Sequence, residues 1–335
     1  MQRTVRDALI AVAVVFGVGS LAMLLAHVSP INGFGALLDG ALGNPSEVAE
    51  TLLQTTALLF PALGVALAFR AGLFNIGAEG QIVLGGMTAG ILGVALPLPG
   101  LLLIPIVLLA GAAAGGLWGG LAGFLKARFG ANEVIATLML NTIALLLATY
   151  LIGGPFKQPG AGAAETPPLP AAAWLPVIIP NTRLSISFIL ALALAATLWY
   201  VFRRTVFGYE LRAAGDAPEA ARRAGIDLGR TAFTALALSG AIAGLGGATI
   251  VMGVLHRFNT GLSPGYGFIA IAVALVGNLE PLFIIFAAFG FGILQSGAIA
   301  MQAEANVPRD VVTLVEGLVI IALAGRRFIV ERRTA

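Results

Sequence analysis

Cysteine is absent from the chain, and histidine occurs only twice, as His27 and His256. Without thiols there is no disulfide framework, no thiolate nucleophile and no cysteine metal site. Two histidines so far apart, each without a neighbouring ligand, read as interfacial polar residues and not as a metal centre. Charge is scarce as well. Only 10% of the 335 residues are Asp, Glu, Lys or Arg, against roughly 25% in an average soluble domain. The formal net charge of +3 points to no nucleic acid partner. The GxxxxGK(S/T) phosphate loop, the GxSxG nucleophile elbow and the HExxH zinc helix are all missing. The chain therefore has no conventional nucleotide site of its own and no obvious constellation for chemistry on a bond.

In their place are long apolar runs. Hydrophobic residues make up 59% of the chain, and several runs reach the roughly 20 residues needed to cross a bilayer. They do not alternate as barrel strands do, so the backbone must be satisfied within helices. The 44 glycines suit close helix packing in lipid. The expected fold class is all-α, a polytopic membrane protein embedded in the lipid bilayer as one transmembrane domain over 1–335. About ten spans are expected, at 8–28, 48–69, 82–98, 101–125, 133–152, 184–202, 231–254, 268–277, 282–301 and 311–324, with 29–47 as a loop. The first run follows Arg3 and Arg6, like a signal peptide. No small-residue cleavage site stands out after it, so it reads as an uncleaved first span.

Lysine and arginine divide unevenly across these spans. Fifteen of the 19 fall on the side of both termini and of the 203–230 interval; Lys157, Arg183, Arg257 and Arg309 fall on the other. The positive-inside rule then makes both termini and 203–230 cytoplasmic. Glycine-rich interruptions at 71–81 and 256–267 occur early in spans two to five and seven to ten. They suggest two pseudo-repeated halves, and paired interruptions of this kind point to a substrate pathway.

Three polar stretches interrupt the oil. Within 71–81 stand Asn75, Glu79 and Gln81. They read either as a solvated turn or as non-helical backbone lining a pathway, where glycine allows close approach. In ANEVIATLMLN, residues Glu133, Thr137 and Asn141 lie four apart on one helical face. Interhelical hydrogen bonding and pore lining both suit them. Glu316 sits inside the last span, where a charge is expensive and faces a bundle interior or water. The third stretch, 203–230, holds six arginines and a short helix signal. Asp216 as cap with Glu219 three residues on is a capping box, Pro218 fits a first turn, and Gly225 suits a left-handed stop. About two turns cannot stand alone in water, so this helix needs a partner.

Taken together, GLFNIGAEGQ at 72–81, NEVIATLMLN at 132–141 and GYELRAAGDAPEAARRAGI at 208–226 resemble the inner-membrane permeases of bacterial ABC importers. The resemblance is to the branched-chain amino acid, ribose and nucleoside permease superfamily, and within it to the nucleoside (simple-sugar) branch. It runs from the second span to the tenth. One departure is Thr142, which follows Asn141 where many members carry Tyr.

The resemblance implies a transport subunit and not an enzyme, in the bacterial cytoplasmic (inner) membrane, translocating nucleosides inward. Simple sugars or branched-chain amino acids are the alternative cargo. ATP and Mg would be bound by a separate ABC ATPase and no cofactor by this chain. The other implied partners are a second related permease chain (or a second copy of this one) and an extracytoplasmic substrate-binding lipoprotein. Gly215, Asp216, Glu219, Ala220, Ala221, Arg222, Arg223, Gly225 and Ile226 would form the coupling helix that docks on the ATPase. Asn75, Glu79, Gln81, Glu133, Thr137, Asn141 and Glu316 would line the substrate pathway. A stand-alone secondary transporter, with Glu79, Glu133 and Glu316 as an ion relay, is the reading from another class.

Overall fold

Apolar runs this long leave the backbone no partner but itself, and helices are what form. A computed structural model describes residues 17–308, 311–314 and 317–318. Its helices, in order, are α1 (Gly17–Leu25), α2 (Pro30–Leu42), α3 (Pro45–Arg70), α4 (Ala78–Ala95), α5 (Gly100–Phe129), α6 (Glu133–Gly153), α7 (Ser187–Arg204), α8 (Val206–Asp216), α9 (Pro218–Arg223), α10 (Leu228–Ile250, extended by a π-turn at Val251–Leu255), α11 (Tyr266–Val276) and α12 (Pro281–Ala303). The described residues contain no extended strand, only two isolated bridges. Among the described residues, seven helices are long and apolar enough to cross a membrane: α3 to α7, α10 and α12.

The expectation of about ten spans differs from this in three places. The region 29–47 is not a loop. The chain bends by 113° between α1 and α2 and then continues as helix. His27, in the left-handed conformation at φ 58°, makes the corner. The Val28 amide returns to the Met23 carbonyl at 2.8 Å and the His27 amide to the Leu24 carbonyl at 3.0 Å, a Schellman closure. Pro30 then opens α2, because a first-turn proline has no amide to satisfy. Second, α11 has 11 residues and is about 16 Å long, half of a hydrocarbon core. Third, most of 311–324 and the start of 8–28 lie outside the described residues, as does Glu316.

The chain divides into two compact units, 1–55 with 289–335, and 56–288. In the first, α2 packs on the end of α12. Gly40 lies against Ala300, and the Ser296 hydroxyl donates to the Gly40 carbonyl at 3.2 Å. Met23, Leu37, Ala298, Met301, Val307 and Val312 form the buried cluster around them.

The second unit is organised by α4, α5 and α10. Gly111, Gly115 and Gly119 repeat every four residues along α5 and meet Gly240 and Gly244 of α10 backbone to backbone, and Gly123, four residues on, lies against the Phe233 backbone of the same helix. Lipid provides no hydrophobic drive between helices, so close approach of small residues carries the association. A Cβ at Gly115 would strike the Gly240 carbonyl, whereas one at Gly35 of α2 meets nothing within 4 Å. Gly115→Val is therefore expected to cost about 1–3 kcal/mol or more through overpacking. Thermal unfolding of the detergent-solubilised protein measures this, with Gly35→Ala as the unchanged control. An unaltered melting temperature for Gly115→Val would contradict the close α5–α10 approach.

Candidate functional site

The two interruptions, far apart in sequence, meet inside the second unit. The first begins where α3 stops. Gly72, at φ 71°, turns the chain left-handed. The Leu73 amide bonds the Ala68 carbonyl at 3.1 Å and the Gly72 amide the Phe69 carbonyl at 3.0 Å, again a Schellman closure. The chain then runs non-helically to α4. Its backbone groups need partners, and buried side chains supply them.

Asn75 is fully buried and uses both ends of its amide. Its Nδ2 donates to Gln81 Oε1 at 2.9 Å and to Ser239 Oγ on α10 at 2.7 Å. Its Oδ1 accepts from the Gly77 amide at 3.0 Å and from Gln81 Nε2 at 3.2 Å. From the other side α6 holds the same segment. The Glu133 carboxylate receives the Phe74 amide and pairs with Lys126 at 2.8 Å. The Thr137 hydroxyl accepts from the Ile76 amide at 3.3 Å. Asn141 donates to the Ile76 carbonyl at 2.8 Å and accepts from the Gly80 amide at 2.8 Å. Three residues one helical turn apart thus grip the interruption group by group.

The second interruption runs antiparallel along α4. Phe258 lies against Gly90, Leu262 against Gly86 and Gly267 against Glu79. Its own backbone is satisfied by the strap 165–169. The Thr166 amide donates to the Phe258 carbonyl at 3.0 Å, and the Leu169 amide to the His256 carbonyl at 2.7 Å. Arg257 pairs with Glu165 at 2.9 Å, and Trp174 stacks on His256 with ring centres 4.0 Å apart. Where the segment turns into α11, Glu79 accepts the Gly267 amide at 2.7 Å, and the Ser263 hydroxyl and Gly265 amide also reach its carboxylate. A carboxylate at a helix N-terminus satisfies orphan amides and the helix dipole together.

Of the pathway residues expected from sequence, Asn75, Glu79, Gln81, Glu133, Thr137 and Asn141 are therefore gathered around one pair of interruptions. Sequence reasoning missed Ser239, Ser263 and the Gly267 amide. Ser263 carried a signal, since it stands three residues before Tyr266 and its hydroxyl accepts that residue's amide at 3.0 Å, as a helix cap does.

In the 203–230 interval the capping box does not form. Asp216 is the last residue of α8, an amphipathic helix that Thr205 caps by accepting the Gly208 amide at 3.1 Å. The helix running into Asp216 leaves it no extended geometry from which to cap. Ala217 stands at the cap position without a side-chain bond, and Glu219 instead reaches Arg222 at 3.4 Å. Pro218 does open α9, and Gly225, at φ 88°, follows its end. The Ile226 amide bonds the Ala221 carbonyl at 3.0 Å and the Gly225 amide the Arg222 carbonyl at 3.1 Å.

Among the four alanines of 217–224, only Ala221 is buried, at 3% exposure; Asp216, Glu219, Ala220, Arg222, Arg223 and Gly225 are exposed, and Gly215 and Ile226 are half-buried. An open groove of about 550 Å³ between α8 and α9 is lined by Tyr209, Arg212, Ala220 and Ile226 among others. Gly215 lies directly against Arg70, Ala71 and Gly72, so this corner abuts the first interruption. Among the described residues no three His, Asp or Glu side chains gather to hold a metal ion.

Multiple apolar helices around interrupted segments, with the polar side chains engaged in holding those segments, define a multi-pass membrane transport protein. The chain belongs to the branched-chain amino acid transport system permease component family, whose profile matches residues 48–324. It is a permease subunit of an ABC transporter. It is 38% identical to the guanosine ABC transporter permease NupP of Bacillus subtilis, over 94% of this chain and 92% of that protein. It is 35% identical to the nucleoside permease NupB of Lactococcus lactis, over 96% and 91%, and 32% identical to the glucose permease TsgB13 of Haloferax volcanii, over 93% and 84%. No solved structure matches the chain.

Proposed function

We propose that this chain is the permease of a binding-protein-dependent importer that moves nucleosides into the cytoplasm. The observation that carries the cargo is the 38% and 35% identity, over nearly the whole chain, to permeases named for guanosine and for nucleosides. The lysine and arginine asymmetry supports a cytoplasmic-membrane orientation with both termini, α8 and α9 on the cytoplasmic side. On that reading 8–28 and 311–324 complete about ten spans, arranged as two pseudo-repeated halves.

In the proposed cycle, a partner ABC ATPase binds ATP and Mg and closes. Its movement is received by the exposed surface of α9 and the α8–α9 groove, through Gly215, Asp216, Glu219, Ala220, Ala221, Arg222, Arg223, Gly225 and Ile226. The interruptions held by Asn75, Glu79, Gln81, Glu133, Thr137 and Asn141 then shift, and the pathway opens on opposite sides in turn. Glu316 would stand beside it. A second, related permease completes the pore, and an extracytoplasmic lipoprotein delivers the nucleoside.

The test is reconstitution of the chain in proteoliposomes with its ATPase, second permease and binding lipoprotein, followed by uptake of labelled guanosine, cytidine and glucose. ATP-dependent guanosine or cytidine uptake that unlabelled nucleoside suppresses and glucose does not is the expected result. The similarity to a permease named for glucose favours a sugar as the second reading, and glucose uptake unaffected by nucleosides would establish it. Uptake that persists without the ATPase would instead favour the secondary transporter.

A further inference from the structure

Arg70 is the last residue of α3 and the rim of the first interruption. Its side chain is mostly buried, at 11% exposure. The guanidinium donates through Nε to the Leu279 carbonyl at 3.0 Å. Its second arm pairs with Glu280 at 2.7 Å. Its plane lies over the Phe202 ring at 4.4 Å. The other Glu280 oxygen reaches Arg203 at 3.6 Å. One carboxylate thus ties the ends of α3 and α7 to the turn between α11 and α12.

That turn is strained. Asn278 and Leu279 both have positive φ, 53° and 57°. A bulky residue such as Leu avoids the left-handed region, which costs roughly 1–2 kcal/mol per residue. Such a conformation persists only where its surroundings hold it, and the Arg70 bond to Leu279 is one of the holds.

Two further contacts give this arrangement direction. The Gly215 backbone, in the last turn of α8, rests on the Arg70 carbonyl and on Gly72, so closely that neither glycine has room for a Cβ without displacement. Gly208 of α8 rests on the backbone of Phe202, whose ring lies under the Arg70 guanidinium. The end of α8 therefore touches Arg70 directly, and its start touches the residue whose ring carries the Arg70 guanidinium. Meanwhile Glu79 holds the start of α11 and Arg70 the turn that follows it, and these two residues flank the non-helical stretch 71–77.

We propose that Arg70 and Glu280 form the joint that carries movement of α8 and α9 into α11, so that the two interruptions shift together. This makes both positioning residues for transport, and the inference rests on the importer reading above. An arginine suits the role because its planar fork makes two directed bonds and a ring contact at once, which a lysine ammonium does not.

The test uses the complete importer in proteoliposomes and reads nucleoside uptake per ATP hydrolysed. Site-to-site coupling is ordinarily worth 1–3 kcal/mol, so Glu280→Gln and Arg70→Ala are expected to lower uptake per ATP by about fivefold or more, with hydrolysis within about twofold of the parent. Arg70→Lys should fall between. Arg203→Ala, whose pairing is longer and half exposed, should leave the ratio within about twofold. Uptake per ATP unchanged in Glu280→Gln and Arg70→Ala overturns the joint, whether total rates stay high or fall together with the amount of folded permease. The latter pattern would mean a purely structural ion pair. No ATP-driven uptake by the unmodified importer would overturn the importer reading itself, and the joint with it.

Discussion

Replacing Ala221 by Glu is expected to abolish ATP-driven uptake, with a fall of about tenfold or more for an effect of 1.4 kcal/mol or larger on a coupled step. Ala221 is the one buried alanine of α9, at 3% exposure, and its carbonyl receives the Ile226 amide that closes the helix. Six residues give this helix one inward position. A carboxylate there must either be buried unpaired, which is costly, or push α9 away from α8. The second outcome spoils the surface proposed to receive the ATPase while leaving the α4–α5–α10 packing untouched. The measurement is uptake and hydrolysis by the reconstituted importer, with thermal unfolding of the permease alongside. Ala220→Glu is the companion variant. Ala220 is exposed, so this change should leave unfolding unaltered and still weaken ATPase docking. Normal uptake by both variants would remove α9 from the path between ATPase and spans.

Asn75→Leu is the second large effect. Leucine has nearly the shape of asparagine, so the change strands partners without opening a large cavity. The Gln81 amide, the Ser239 hydroxyl and the Gly77 amide all lose a bond in a site where Asn75, Gln81 and Ser239 are at most 1% exposed. Each stranded buried group costs about 1–3 kcal/mol. A marked drop in the melting temperature of the purified permease is expected, together with loss of uptake. The double variant Asn75→Leu with Gln81→Leu sharpens the test. Removing both partners of a hydrogen bond costs less than orphaning one, so the second substitution should add little to the first. Additive losses, or a single variant as stable as the parent, would show that these amides do not hold the interruption.

Much of this arrangement was legible in the residues taken one stretch at a time. Apolar length and sparse charge mark the helical membrane class. Gly225 marks a left-handed stop and Pro218 a helix start, because these signals act over a few bonds. The spacing of Glu133, Thr137 and Asn141 put them on one face for the same reason. The motifs around them carry the family resemblance. Local signals also misled where two competed. The prolines and glycines of 29–47 read as loop although Pro30 opens a helix, and the Asp216–Glu219 pair read as a cap although α8 had already claimed Asp216.

What no stretch could reveal is which buried polar group meets which. Glu79 finds the Gly267 amide 188 residues on, Asn75 finds Ser239 at 164, and Arg70 finds Glu280 at 210. Hydropathy records that such groups need partners in an apolar interior, but not their identity. The partner is chosen by the packing of α4, α5 and α10, which brings distant backbones within touching distance. The sequence by itself therefore determined a helical membrane permease with two interruptions and a short corner helix. Only the tertiary structure decided that the interruptions meet at Glu79, that α6 holds the first of them, and that the end of α8, just before the corner helix, bears on Arg70.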